Sequence, residues 1–241
     1  MSGAVQQVKR FVRRHSGVVG SVISLDRVPG RFALTYDDGP EPGGTDRVLE
    51  VLAQRGVTAT FFVLVGRARR EPGLLAEVVA GGHEVALHGL DHRALTGFSR
   101  EEVLRRTRDG RAALEDLTGR EVRWVRPPYG RQTLSSWRAV RAAGLEPVMW
   151  GGTTWDNREA TTAERVGSAV RNASDGLVLL AHDGFAGCAD GVDDGPAPQI
   201  DRGDLARRVL DAFDERGLRA GSVAELEAAG GSLRRGAWFG R

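Results

Sequence analysis

Short apolar runs alternate with amphipathic stripes from residue 31 to residue 229. Residues 31–38 hold the apolar Phe32-Ala33-Leu34 and are stopped by Gly39-Pro40, which predicts a strand with an abrupt end. Thr45 then caps a helix whose Val48, Leu49, Val51 and Leu52 make one apolar stripe, closed by Gly56. Residues 58–65 are β-branched and aromatic, as in a strand buried on both faces. A helix near 71–80 ends at Gly81-Gly82, and 84–88 is a short third strand. Ser99 with Glu101 and Glu102 opens a long helix that runs to Thr118-Gly119. Strands follow at 122–126, stopped by Pro127-Pro128, at 147–150 and at 177–182, with helices at 134–143 and 162–173 between them. A Gly-, Asp- and Pro-rich loop fills 184–200; a helix at 204–216, a weak strand at 218–223 and a helix at 224–229 complete the series.

Seven strands in one uninterrupted alternation with helices predict an α/β domain with a parallel sheet, closed or nearly closed into a barrel. No glycine-rich phosphate loop follows the first strand, which argues against a dinucleotide-binding sheet. The 241 residues are 41% hydrophobic and 27% charged, the balance of a soluble globular protein with a core. Net charge is only +2, and the pI of about 9.2 comes without a basic stripe interleaved with aromatics, so nucleic acid is not the expected partner. Cys188 is the one cysteine, so no intramolecular disulfide forms. Lys9, Arg10, Arg13 and Arg14 precede an apolar stretch at 17–25 that is short, interrupted by Gly and Ser, and lacks a cleavage site. It makes a poor signal peptide and cannot span a membrane, so the expectation is a cytoplasmic protein without stable membrane insertion, export being left open. Residues 5–14 read as a tail or a helix packed on the base of the domain, with a basic amphipathic helix on a membrane surface as the alternative.

Ionisable residues gather where the predicted strands end. Asp37 and Asp38 end the first, His88 the third with His92 four residues on, and Arg126 the fourth; Asp156 lies beyond the fifth, and His182 and Asp183 end the sixth. In a parallel β/α barrel all these ends open on one face, which carries the chemistry. His88 and His92 at i, i+4 can converge on one ion, and one carboxylate from the first strand completes a two-His, one-carboxylate set with positions left for water and substrate. Paired acids repel unless a cation or a proton separates them, so one of the two suits a metal and the other a water. Arg126 can pin a carboxylate, and the rigid Pro127-Pro128 pair can hold the Tyr129 N–H toward a substrate oxygen. His182, at the mouth of the apolar run 177–181, is a candidate general acid that Asp156 would orient and make more basic. His83, just before a strand, reads as a structural histidine. Cys188, Asp190, Asp193 and Asp194 lie either in a solvated loop or in a lid that touches substrate.

Five motifs together resemble the polysaccharide deacetylase family, also called the NodB-homology domain or carbohydrate esterase family 4. Thr35-Tyr36-Asp37-Asp38-Gly39-Pro40 is similar to its Thr-Phe-Asp-Asp-Gly-Pro. His88 to His92 is similar to His-Ser/Thr-x-x-His, and Arg126 to Tyr129 to Arg-x-Pro-Tyr. Trp150 to Asn157 lies where the family has Trp-x-x-Asp-x-x-Asp-Trp, and Leu180-Ala181-His182 matches Leu-x-His. The resemblance covers about 30–228, which leaves 1–29 as a basic N-terminal extension and 229–241 as a C-terminal tail.

The resemblance implies a distorted (β/α) barrel of seven parallel strands and metal-dependent hydrolysis of an acetyl group, most simply the N-acetyl of an amino sugar. It implies Asp37 as general base, Asp38, His88 and His92 as ligands of a divalent ion such as zinc, cobalt, nickel or iron, and Arg126 as the group that orients Asp37. Tyr129 would supply the oxyanion-hole N–H, Asp156 would tune the acid His182, and Pro128 and Leu180 would belong to the substrate pocket. Three positions depart from the pattern: Gly89 replaces a Ser/Thr that braces the metal loop, Thr153 replaces the first acid of the fourth motif, and Asn157 replaces a Trp that walls the sugar pocket. The loop is therefore expected to be looser, and Trp155 to stand in for part of the wall. A small acetylated non-sugar substrate and a non-catalytic carbohydrate-binding role are the alternatives, and the oligomeric state is left open.

Overall fold

The computed structural model describes residues 20–238, so the basic segment at 5–14 lies outside the described residues. The central sheet is parallel throughout. Its long strands are β2 (Arg31–Asp37), β3 (Thr60–Leu64), β4 (Glu84–Gly89) and β8 (Val178–His182). The short ones are β5 (Trp124–Val125), β6 (Glu146–Pro147), β7 (Gly152–Thr153) and β9 (Arg219–Gly221). The order runs β6-β5-β4-β3-β2-β8-β7, with β9 on the lower part of β2.

The chain that runs from β6 to β7 joins the two edges of the curled sheet. β6 pairs with β5 at one edge, and β7 pairs with β8 at the other. Between them Val148 N–H donates to Val125 O, and Gly151 N–H donates to Val178 O. The predicted fifth strand at 147–150 is thus two two-residue pieces on opposite edges, since a continuous strand could serve only one of them.

Alternation along the strands sorts the side chains into two layers. Phe32, Leu34 and Tyr36 face outward onto helices, where Phe32 stacks on Phe213 of the Arg202–Asp214 helix at 4.0 Å. Ala33, Phe62, Ala86, Trp124, Val148 and Val178 fill the inside. The Thr45–Arg55 helix ends at Gly56 in the left-handed conformation (φ 57°), and the Arg100–Thr118 helix is capped by the Ser99 hydroxyl and ended by Gly119 (φ 64°). A further helix, Val65–Arg70, follows β3 directly; its sequence VGRARR carries no apolar stripe to announce it.

Ser21–Asp26 forms β1 and pairs antiparallel with β10 (Ser232–Gly236), so parts of the segments placed at 1–29 and 229–241 fold against the barrel. Val22 and Leu25 are buried with Val223 and Leu226, closing its lower end. No helix among the described residues is long and apolar enough to cross a membrane.

Candidate active site and metal centre

The strand ends open into a cleft of about 270 Å³ whose floor holds Asp37, Asp38, His88, His92 and His182. Regular alternation would send Asp37 inward and Asp38 outward. Asp38 instead adopts φ 78°, in the left-handed region, and both acids face the cleft. The turn depends on Gly39: a Cβ there would sit 1.9 Å from the Asp183 carboxylate. Asp183 accepts from the Gly39 N–H (3.1 Å) and the Thr45 hydroxyl (2.6 Å), bracing the turn from below.

Asp38 Oδ1 lies 3.3 Å from His88 Nε2 and 3.3 Å from His92 Nε2. Two ligands each about 2.1 Å from a tetrahedral ion stand about 3.4 Å apart, so the spacing is that of a coordination edge. Asp38 Oδ1 is buried without a hydrogen-bond partner among the described residues, an arrangement costly in itself and relieved by a cation. His88 donates its Nδ1–H to the Arg126 carbonyl at 2.8 Å, which leaves the Nε2 lone pair facing Asp38. Burial pushes the His92 imidazole down to about 4, so it is neutral and able to ligate. Burial opposes charge on His88 too, but Asp37 and Asp38 outweigh it and raise its proton affinity. The same field attracts a metal cation. Burial would lift the Asp38 carboxyl, yet the neighbouring imidazoles hold it well below the usual carboxylate range. The donor set fits a divalent ion, and it is the one such group among the described residues.

Asp37 is turned away from this edge by Arg126, whose fully buried guanidinium donates to Asp37 Oδ1 at 2.6 Å and to the Thr35 hydroxyl at 2.9 Å. Its other nitrogens donate to the Val148 and Met149 carbonyls, and it lies over the Phe62 ring at 4.0 Å. Every direction of the guanidinium is thereby fixed, and Asp37 keeps one oxygen, Oδ2, toward His88 at 3.9 Å.

His182 meets Asp156 at 2.6 Å through Nδ1, and its backbone N–H donates to the other Asp156 oxygen at 2.8 Å. Burial disfavours the imidazolium, but the carboxylate prevails and the pKa is pushed up to about 9. Arg202, bonded to the His182 and Gly184 carbonyls, lies 3.7 Å from Asp156 and helps keep it ionised.

The structure brings Tyr129 and Leu180 to the cleft wall, while Pro128, next to Tyr129 in the chain, is buried. Trp155 does not line it. At φ 57° its chain turns away, and its ring lies against Arg158 (3.7 Å) and Arg171 (4.7 Å). The aromatic wall is Tyr129, Trp150 and Phe185, while Asn157 and Asp194 form polar parts of the lining. Trp150 is backed by Trp238 at 5.2 Å, whose indole N–H donates to the Gly130 carbonyl. Asp190 is buried against Arg67 and Arg70, both at 2.7 Å, and so anchors the 184–200 loop.

The metal loop is also firmer than Gly89 suggested. Gly89 has φ 148°, and a Cβ would meet the Asp91 carbonyl at 2.6 Å, so a hydroxyl residue does not fit this backbone. Bracing comes instead from Asp91 with Arg106 (2.6 Å) and Arg93 (2.7 Å), and from the His92 N–H to the Asp190 carbonyl (2.9 Å).

Residues 26–148 match the family described as Polysaccharide deacetylase. The chain is 36% identical over 155 residues to a peptidoglycan-N-acetylglucosamine deacetylase, PgdA, of Listeria monocytogenes, a match covering 64% of this chain and 32% of that protein. It therefore spans about a third of that relative's length. It is 30% identical over 168 residues to a chitooligosaccharide deacetylase of Azorhizobium caulinodans, covering 69% of this chain and 80% of the other. The solved structure of the peptidoglycan deacetylase PdaC from Bacillus subtilis superposes with a TM-score of 0.70 at 27% identity, over 85% of this chain and 92% of that one.

Proposed function

The chain belongs to the polysaccharide deacetylase family, and we propose that it hydrolyses the N-acetyl group of an amino sugar or amino-sugar-containing molecule, releasing acetate. The observation that carries this reading is the division of labour between adjacent acids: Asp38 stands 3.3 Å from two imidazole nitrogens while Asp37 is held 2.6 Å from Arg126. Similarity to enzymes named for peptidoglycan N-acetylglucosamine and for chitooligosaccharide supports a sugar substrate.

Asp38, His88 and His92 would hold the ion, and a divalent ion there supplies charge that acidifies water and polarises the acetyl carbonyl. Zinc suits one carboxylate and two neutral imidazoles, with cobalt, nickel and iron as alternatives. Asp37 takes the proton of the attacking water through its free oxygen. Arg126 holds that carboxylate in place at 2.6 Å and aims its other oxygen. The Tyr129 N–H receives the developing oxyanion. His182, protonated at neutral pH, gives its proton to the nitrogen as the C–N bond breaks, so that amine and acetate leave. Leu180 offers an apolar surface for the acetyl methyl, and Trp150 a face for a sugar ring.

The test is acetate release across a panel of N-acetylated glucosamine oligomers, peptidoglycan fragments and small acetamides, with metal stripped and restored. Release from the sugars that depends on metal supports the reading. Asn157, polar and exposed where the family has a Trp, favours as a second reading a small acetylated non-sugar, and release from acetamides alone would select it.

A further inference from the structure

The two ligating histidines differ in how their outer nitrogens are treated. His88 Nδ1 donates to the Arg126 carbonyl at 2.8 Å, whereas His92 Nδ1 is buried and finds no hydrogen-bond partner among the described residues. An imidazole that ligates through Nε2 carries its proton on Nδ1, and a buried N–H needs an acceptor. One polar group stands in front of it: Asp194, from the 184–200 loop, places Oδ2 at 3.9 Å. Asp194 is aimed by Tyr129, whose hydroxyl donates to that same oxygen at 2.6 Å and whose ring packs on the His92 ring at 4.4 Å. The other Asp194 oxygen has no protein donor in hydrogen-bond contact among the described residues. Four residues earlier the loop is fixed by Asp190, held by Arg67 and Arg70, and the Asp190 carbonyl accepts the His92 N–H.

We propose that Asp194 is a positioning residue for the metal centre: its carboxylate accepts the Nδ1–H of His92 when a cation is held at Nε2. Closing the 3.9 Å separation to a hydrogen bond takes a shift of about 1 Å, within reach of an exposed loop side chain anchored at Asp190. The second ligand thus gains from the loop what the first receives from the barrel backbone. Because Tyr129 tethers the same carboxylate, metal loading, loop position and the residue assigned to the oxyanion are linked through one side chain. The inference rests on the metal reading above.

The test is cation affinity measured on the full chain, by chelator competition with Zn²⁺ alone and by the visible absorption of the Co²⁺ form. Asp194→Ala weakens Zn²⁺ about 10–100-fold, the usual effect of removing a ligand's outer hydrogen-bond partner, and alters the Co²⁺ band. Asp194→Asn, which keeps an acceptor oxygen but not the charge, lies between Ala and wild type. Asp193→Ala, next to it and exposed, binds as wild type. Should the Ala variant fail to fold, the Asn variant decides by itself. Affinities of the Asp194 variants within twofold of wild type, or an equal loss in Asp193→Ala, would overturn the proposal. A wild-type chain that takes up no divalent cation would overturn the metal reading itself, a result distinct from equal affinity across variants.

Discussion

β4 carries an ionisable group at each end of the same inner face, half-buried Glu84 below and buried His88 above, and the two ends treat polarity in opposite ways. At the lower end Glu84 accepts from the Thr60 hydroxyl (2.6 Å), the Trp124 indole (2.6 Å) and the Ala224 N–H (3.1 Å). Beside it His83 Nδ1 accepts from the Ala59 N–H, and burial holds that imidazole down at about 4. These bonds staple the Val223–Ala228 helix and the inner strands together. At the upper end Asp38 Oδ1 and His92 Nδ1 are buried with no hydrogen-bond partner among the described residues, and lone pairs face one another across 3.3 Å. A satisfied buried group holds a fold together. An unsatisfied cluster costs stability and returns it as affinity for what completes it.

Breaking the upper end should be felt in chemistry. Asp38→Ala is expected to abolish uptake of one metal equivalent and reduce acetate release to background, read by metal analysis and an acetate assay. Asp37→Asn should lower kcat by about 10²–10⁴ while metal content stays at wild type, because the base is not a ligand. Joint loss of metal and activity in that variant would merge the two acids' roles. The pH profile is subtler. His182, raised to about 9, is protonated at neutral pH, so the rate should fall as pH rises through that value, and Asp156→Asn should move the limb toward the ordinary histidine value of 6.5. Because this pKa is raised in the folded state, its contribution to stability is complete below 6.5 and lost as pH rises through about 9. An alkaline limb that ignores Asp156 would detach His182 from the acid role.

Breaking the lower end should be felt in stability alone. Glu84→Ala leaves three donors without their acceptor and is expected to cost about 1–3 kcal/mol, lowering Tm by about 2–10 °C, with kcat within twofold of wild type. A large fall in kcat at unchanged Tm would contradict the contrast between the ends.

The sequence made the upper end more legible than the closure of the barrel. Polar residues that follow long apolar runs, as Asp37, His88 and His182 do, stand out because a parallel strand buried on both faces admits them only at its tip. β6 and β7 have two residues each, too few for any periodicity, and their partners are distant in sequence. β1 and β10 were hidden for a related reason: SLRRG reads as a polar tail, and its strand character comes from pairing with a segment at the other end of the chain. Trp155 was misplaced because standing two residues before Asn157, where the family has its Trp, says nothing of direction; a left-handed turn sends the indole to the arginines, and Trp150 takes the wall. Asp183 carried only the signal of an acid at a strand end, and Asp194 that of an acid in a glycine-rich loop. Their distinct roles, one bracing the Gly39 turn and one facing His92, depend on contacts 144 and 102 positions apart in sequence.

The central claim is that the upper end is a centre for metal-dependent deacetylation. Its most direct test is a titration of metal-stripped protein with Zn²⁺, following acetate release from an N-acetylglucosamine oligomer and the other amides of the panel. Activity should be absent at the start, rise with added ion and stop rising at one equivalent per chain. Full activity in the stripped protein, or no acetate from any amide once one equivalent is bound, would contradict the account.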